Sequence, residues 1–168
     1  TSVLRNSIYG NGCTSCASNL GIDIQTGTAG TDDGPNTNDA GDADGGTSDL
    51  LNSPVIRGAE LDAGAFTVIY SADVAAGECS AANPCRVEFY YVGAAPDPSG
   101  YGEGKQFLGA DTIAGAVSNR AWSCAYAGPA RANGDYVSAT VTNNGRPASG
   151  PDPAVGLGST SELGAAVR

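Results

Sequence analysis

The stretch TDDGPNTNDAGDADGG, residues 31–46, concentrates the side chains of this chain that could bind a metal ion. It holds five Asp residues, and Asp49 follows shortly after it. Calcium takes about six to eight oxygen ligands from carboxylates, amides and carbonyls, and glycines let a loop wrap around the ion. The spacing departs from the EF-hand pattern, and the alternative is a solvated turn held by Asx-type hydrogen bonds. The predicted calcium ligands are Asn36, Asn38, Asp39, Asp42, Asp44 and Asp49.

Five cysteines are the next candidates for chemistry. The motif CTSC, from Cys13 to Cys16, has a redox or zinc spacing, but no helix pattern follows it and no second CxxC is present. A structural clip or a link to Cys124 is the preferred interpretation. The segment ECSAANPC predicts a local disulfide between Cys79 and Cys85 across a Pro-containing turn. The odd count leaves at least one thiol free, paired between chains, or paired outside this sequence.

Catalytic groups are sparse. The chain has no His, which excludes Ser-His-Asp and Cys-His systems. Glu88, Asp97 and Glu103 could be considered as a glycosidase pair, but Glu88 and Glu103 are interpreted as solvated positions. We therefore predict that the protein is not an enzyme. Aromatic residues that could stack on sugars, or simply pack in the core, are Tyr90, Tyr91, Tyr101, Trp122 and Tyr126.

The composition limits the possible partners. The formal net charge of −10 over 168 residues argues against nucleic acid, which requires clustered Lys and Arg. No apolar run of about 18 residues is present, so no membrane-spanning helix is predicted. The expected disulfides and the acidic surface favour an extracellular or cell-surface location.

The first 27 residues predict two short strands, at 2–9 and 20–25, because apolar and polar residues alternate there. Their repeat of about 20 residues is similar to one rung of a parallel β-helix. One or two rungs cannot bury their own apolar face, so this segment is expected to pack on earlier rungs or on another copy of the chain. The residues predicted to mediate this assembly are Leu4, Ile8, Leu20, Ile22 and Ile24.

The chain changes character after an acidic, Gly-rich connector at residues 28–53. From residue 54 onwards, short β-like runs separated by turn signals predict an antiparallel sandwich without helices. Residues 143–161 are predicted to form an extended loop, and ELGAAVR either a closing strand or a frayed end. The predicted strands are PVIRGAEL, AFTVIYSAD, CRVEFYYVG, KQFLGADTIAGAV, AWSCAYAG and GDYVSATVTN, with Phe66, Val68 and Tyr70 on one face and Val137, Ala139 and Val141 facing inwards.

Several motifs together resemble one family. NSIYGNG, LGIDI, PNTNDAGDADGG and LLNSPVI, followed by RVEFYYVGAAPDPSGYGEGKQFLG and STSELGAAV, resemble the C-terminal part of bacterial secreted right-handed β-helix proteins of the CSLREA type. The resemblance covers nearly the whole chain in order and implies an immunoglobulin-like module after the last rungs. This chain departs from the pattern in lacking the CSLREA motif and in carrying Cys13 and Cys16 where the family usually has Gly.

The sequence therefore predicts an all-β protein: an immunoglobulin-like antiparallel β-sandwich with an N-terminal β-helix-like strand segment. The predicted parts are a strand segment at 1–27, a junction loop at 28–53 and the sandwich at 54–168. We expect an extracellular structural protein, a subunit of a surface filament or fibre built by β-strand packing between copies. The alternative is an adhesin or carbohydrate-binding module of a larger β-helix protein. Expected partners are copies of the chain or upstream rungs, with glycans and calcium as further candidates.

Overall fold

The computed structural model describes residues 2–11, 20–26, 34–62, 64–96, 98–128, 131, 133–143 and 158–168. Within these ranges the protein is all-β, with one 3-10 turn at Thr47–Leu50 as its only helical element. The strands are β1 Val55–Asp62, β2 Ala65–Ala72, β3 Cys85–Gly93, β4 Gln106–Ile113, β5 Val117–Ala125 and β6 Tyr136–Asn143. They form two three-stranded antiparallel sheets: sheet 1 with the order β1-β2-β5, and sheet 2 with the order β4-β3-β6.

Alternation along the strands creates the core between the two sheets. Phe66, Val68 and Tyr70 of β2 are all buried, which confirms that they share one face, and Val87 and Phe89 of β3 are buried in the same core cluster. The ring of Phe89 lies 5.1 Å from that of Tyr70, and its contact with Phe66 at 6.1 Å also joins the sheets. The predicted inward positions of β6 (Val137, Ala139 and Val141) belong to the same cluster.

The connection from β4 to β5 carries the chain from sheet 2 to sheet 1. It spans residues 114–116 and contains Gly115 at φ 154°, a backbone conformation that L side chains rarely adopt. A single predicted run, KQFLGADTIAGAV, is therefore divided between two strands. The second strand, β5, begins at Val117, four residues before the predicted start at Ala121.

The C-terminal segment, residues 158–168, lies along the free side of β6. Ser161 N donates to Val141 O at 2.9 Å, and Gly164 N donates to Ala139 O at 2.9 Å. Further along, Val167 and Val137 exchange both backbone hydrogen bonds. Of the two expectations for ELGAAVR, the closing segment is thus the observed one, although it pairs through isolated bridges rather than a continuous strand.

The N-terminal segment corrects a prediction. Residues 2–11 and 20–26 contain no strand, so the strands expected at 2–9 and 20–25 are wrong. A single antiparallel bridge is present, in which Ile8 and Gly104 exchange backbone hydrogen bonds of 2.8 and 2.7 Å. The segment instead lies over the outer face of sheet 2, where Arg5 contacts Glu88 and Phe107.

The cysteine predictions have different outcomes. Cys79 and Cys85 form the predicted disulfide, which closes a turn of sequence separation 6 just before β3. Cys124 carries a free thiol on β5, so the expected link from the CTSC motif to this residue is not formed. Partial burial raises the pKa of that thiol. Cys13 and Cys16 themselves lie outside the described residues, as does Asp97.

Candidate functional site

A buried carboxylate on the outer face of sheet 2 binds the N-terminal segment. Glu88 lies between Val87 and Phe89 on β3, and because neighbouring strand residues point to opposite faces, it points away from the core. Its side chain is 0 % exposed and accepts hydrogen bonds from Arg5 N at 2.8 Å and Arg86 Nε at 2.6 Å. The Tyr90 hydroxyl donates a third bond at 2.5 Å. The sequence interpretation of Glu88 as a solvated residue is therefore wrong.

Glu162 performs the same task at the junction between the N-terminal segment and the acidic loop. This carboxylate is 4 % exposed and accepts Ile24 N at 2.9 Å and Asn36 N at 2.8 Å. The Asn36 side chain donates to Glu162 Oε1 at 3.0 Å and to Ile24 O at 2.5 Å. Glu88 and Glu162 thus bind mainly backbone amides of residues 5–36, and every residue type except Pro provides such a donor.

Most of the predicted assembly residues are buried or half-buried within their own copy of the chain. Ile24 is 5 % exposed, and Ile8, Leu20 and Ile22 are half-buried. Leu4 keeps 37 % of its surface exposed. The premise that this segment finds no packing surface within its own chain is therefore wrong for the described residues, because Ile8 bridges to Gly104 and Ile24 is bonded to Glu162 of the C-terminal segment.

The acidic loop brings together half of its predicted calcium ligands. Ligand oxygens of Asp39, Asp42 and Asp44 lie within 4.8 Å of one another. Asp39 accepts the backbone amides of Ala43 and Asp44, which is the Asx-type bonding of the alternative interpretation. Asn36 is held by Glu162, Asn38 bonds Ser53, and Asp49 accepts from Ser159. Calcium binding stays a prediction.

Asp42 is a buried carboxyl of the loop. It is 5 % exposed and accepts Asn52 N at 2.8 Å. Burial, with a hydrogen bond to Glu78 and repulsion from its charge, raises the pKa of Asp42 to about 7. A protonated Asp42 can donate to Glu78, which in turn accepts from the Asn143 side chain at 2.6 Å. The loop is thereby connected to the end of β6.

Sheet 1 differs from sheet 2 in its exposure. Seven of the eight residues of β6 are buried, whereas none of β5 is. The side chains of Val55 and Ile69, on β1 and β2, are 41 % and 43 % exposed. In the described part of the chain, β1 and β5 each pair only with β2. Sheet 1 therefore has a bare outer face and two unpaired edges.

The free hydrogen-bonding groups of β5 follow from its ladder with β2. Tyr126 N donates to Gly64 O, and the register then places Cys124 opposite Phe66 and Trp122 opposite Val68. The N–H and C=O of one residue point to the same side of a strand, and the side alternates along it. Trp122 therefore directs its backbone groups to β2. Ala121 and Ser123 direct theirs out of the sheet.

The same alternation applies to β1. The β2 residues Thr67 and Ile69 face Glu60 and Gly58, which leaves the backbone groups of Ala59 and Leu61 pointing outwards. A register shift between Ile56 and Gly58 interrupts the pairing nearer the start of the strand. The regular free edge of β1 thus runs from Gly58 to its end.

One ion pair ties the edge strand β5 to the other sheet. Arg120 Nε donates to Asp111 Oδ2 at 2.6 Å, and the Tyr70 hydroxyl donates to the same oxygen at 2.7 Å. Burial alone would raise the pKa of Asp111, but these bonds outweigh it and hold the pKa below its usual range. Burial and the adjacent Asp111 raise the pKa of Tyr70. These groups hold the sheets together, and the Thr112 amide gives Asp111 a third partner at 2.7 Å.

The aromatic residues do not form one sugar-stacking platform. Trp122 stacks on Phe89 at 5.2 Å within the interior, and Tyr90 is 3 % exposed. Burial, together with Glu88, raises the pKa of Tyr90. Tyr91 is covered by the guanidinium of Arg131 at 3.8 Å from the ring centre. Tyr101 and Tyr126 are half-buried.

Sequence reasoning missed Glu88 and Glu162 as the groups that hold the N-terminal segment. An acidic residue between Val87 and Phe89 was a usable signal for Glu88, because a strand buried on both faces needs a partner for such a charge. No comparable signal preceded Glu162, whose partners lie 126 and 138 residues away.

Comparisons of the chain with protein-family models, with characterised proteins and with solved structures found no match. The resemblance to secreted β-helix proteins stays a prediction. Among the described residues, no helix has the length and apolar character needed to cross a membrane.

Proposed function

We propose that this chain is an extracellular, non-enzymatic structural protein with an immunoglobulin-like sandwich, whose copies join edge to edge into a filament or fibre. The joining element is sheet 1: the outward edge of β5 in one copy pairs with the outward edge of β1 in the next. The assembly therefore still depends on β-strand packing between copies. The strands that pack, however, belong to the uncovered sheet 1, because the N-terminal segment packs on its own chain.

The contrast between the two sheets supports this proposal. Sheet 2 is covered on its outer face by the N-terminal segment and along β6 by residues 158–168. Sheet 1 has neither cover among the described residues. Soluble β proteins usually protect unpaired edges, and a free edge can pair with another strand through its backbone hydrogen bonds. A second copy supplies the missing edge from the same sheet.

The strand directions determine what kind of assembly results. Both β1 and β5 are antiparallel to β2, so they run parallel to one another within sheet 1. Copies that repeat in the same orientation therefore join β5 to β1 as a parallel pair, in a contact that does not close on itself. Two copies related by a twofold axis would instead pair β5 with β5 and stop at a dimer.

Other features are consistent with this role. The Cys79–Cys85 disulfide fits an oxidising, extracellular environment. Buried Glu88 and Asp111 are bonded to Arg and Tyr side chains, which is the environment of structural rather than catalytic carboxylates. The net charge of −10 makes copies repel one another, so association should increase as NaCl rises from about 10 mM to about 150 mM.

The substitution Ala121→Pro tests the proposal. Proline removes the outward N–H of Ala121 but leaves the bonds from β5 to β2, because the backbone of Ala121 does not face β2. The matched control, Ala121→Val, keeps the N–H and adds similar bulk. We expect the wild type and A121V to form filaments in negative-stain images, and A121P to remain monomeric by light scattering with a similar Tm.

Two outcomes would refute the proposal. One is a wild-type protein that stays monomeric at all concentrations and salt levels. The other is an A121P variant that assembles as the wild type does. A wild-type protein that stops at a dimer would show that β5 pairs with β5 across a twofold axis, and the filament would be rejected.

A further inference from the structure

The end of the sandwich where β1 finishes and β6 begins contains an open cleft of about 370 Å³. Phe66 and Leu108 line it from the core side, and Glu60, Asp135, Arg131 and Arg168 line it with charged groups. This volume lies within the range of small-molecule sites, in which an apolar surface is combined with a few polar groups.

Arg131 is held in one orientation within this cleft. Its guanidinium lies 3.8 Å from the centre of the Tyr91 ring, and its Nε donates to the Tyr126 hydroxyl at 3.0 Å. Its Nη2 donates to Gln106 Oε1. These two bonds leave further N–H donors of the planar group for another partner. The stacking and the bonds orient the group before any ligand arrives.

The second guanidinium, that of Arg168, lies 4.8 Å from the centre of the Tyr136 ring. The chain has 18 acidic and only 8 basic residues. Nevertheless, within the described part of the chain neither Arg131 nor Arg168 forms an ion pair, and the two pairs present involve Arg86 and Arg120. Two orientated guanidinium groups that form no ion pair with a described residue thus line the same cleft.

We infer that the cleft binds a saccharide that carries a carboxylate, such as a uronic acid. The free N–H groups of Arg131 match the two oxygens of a carboxylate, and Arg168 adds a second positive charge. The exposed Glu60 can accept a hydrogen bond from a sugar hydroxyl, whereas Asp135 already accepts the Tyr91 hydroxyl at 3.2 Å and contributes mainly its negative charge. The same two carboxylates disfavour a doubly charged phosphate, whereas a ligand with one charge and several hydroxyl donors matches both kinds of group.

This inference does not rest on the edge-to-edge assembly, since all the residues that it uses belong to one copy. It adds a ligand class to the molecule: acidic polysaccharides of the kind found on and around cell surfaces. The aromatic rings of Tyr91 and Tyr136 act here as supports for the arginines, not as the sugar-stacking surface.

Calorimetric titration of the wild-type protein with trigalacturonate tests the inference. We expect saturable binding that weakens as salt is raised, and no binding of neutral galactose oligomers of the same length. The substitution Arg131→Gln should weaken trigalacturonate binding at least about tenfold, because bonds from a charged donor are lost. The matched control Arg57→Gln removes the same charge from an exposed position of β1 outside the cleft and should leave binding unchanged.

Three results would overturn the inference: no binding of trigalacturonate, equal loss of binding in R131Q and R57Q, or equal binding of acetate and trigalacturonate. The last would show a simple carboxylate site rather than a saccharide site. If R131Q fails to fold, Glu60→Gln keeps the test decisive, because an exposed carboxylate that accepts a sugar hydroxyl should change affinity without changing Tm. An unchanged affinity in E60Q would then contradict the inference.

Discussion

Glu88 Oε2 accepts a hydrogen bond from the backbone N of Arg5 at 2.8 Å, across 83 residues of sequence. The bond joins the outer face of β3 to a segment whose alternating pattern and repeat length predict a β-helix-like rung. The carboxylate is completely buried and also binds Arg86 and Tyr90, so the Arg5 amide adds a third donor to a charge that is withdrawn from water. The N-terminal segment is therefore part of the folded unit.

Replacing Glu88 by Ala should destabilise the protein by about 3 kcal/mol. The substitution leaves the Arg5 amide, the Arg86 guanidinium and the Tyr90 hydroxyl without their acceptor, and this value is at the lower end for a broken buried pair because Arg86 keeps 25 % of its side chain exposed. Urea unfolding measures the loss. Glu60→Ala, at an exposed position of β1, is the control and should change the free energy of unfolding by less than about 0.5 kcal/mol. Equal effects of the two substitutions would contradict the role of Glu88.

The raised pKa of Asp42 predicts a specific dependence of stability on pH. The folded-state pKa of about 7 lies above the ordinary 3.8, so the folded state binds the proton more tightly than the unfolded state. This contribution is fully present below about pH 4 and is lost as pH rises through about 7. Asp42→Asn imitates the protonated group, because its amide can donate to Glu78 while its oxygen accepts Asn52 N. The stability of D42N relative to the wild type should therefore increase between pH 4 and 7 and then level off.

Thermal unfolding of both proteins across this pH range measures the difference. A constant difference from pH 4 to pH 8 would show that Asp42 titrates normally.

The same pair of proteins tests the calcium prediction. If the loop binds calcium through Asp39, Asp42 and Asp44, calcium at constant ionic strength raises the Tm of the wild type at pH 8 more than that of D42N. No shift of the wild-type Tm would reject calcium as a ligand.

Removing the Cys79–Cys85 disulfide should cost about 2 kcal/mol, the value for closing a loop of about seven residues in the unfolded chain. The double variant Cys79→Ala/Cys85→Ala provides the measurement by urea unfolding. A reductant should lower the stability of the wild type by a similar amount and leave the double variant unaffected. A reductant effect of equal size in both proteins would place the sensitive bond elsewhere.

The strands of the sandwich could be predicted because they satisfy a local rule. Residues 65–72 and 136–143 alternate strongly enough to predict a shared face for Phe66 and Val68 and an inward face for Ala139 and Val141, and all four side chains are buried. The run from Lys105 to Val117 was harder, because only Gly115 marks the change of sheet and its neighbours are Ala.

The N-terminal segment could not be predicted in the same way. Leu20, Ile22 and Ile24 alternate like strand residues, but the backbone of Ile24 is bonded to the side chain of Glu162 rather than to a neighbouring strand. That partner lies 138 residues away, and no local pattern encodes it. The set of clustered calcium ligands could not be predicted for the same reason. Asn36 is bonded to the distant Glu162 and does not join Asp39, Asp42 and Asp44.

Residue-resolved amide hydrogen exchange tests the central claim, that the outward edge of β5 joins copies of the chain. Ser123 and Trp122 are neighbours, but only the Trp122 amide faces β2. In wild-type filaments both amides should be protected, whereas in monomeric A121P the Ser123 amide should exchange rapidly and the Trp122 amide should stay protected. A Ser123 amide that exchanges at the same rate in the two preparations would contradict the account.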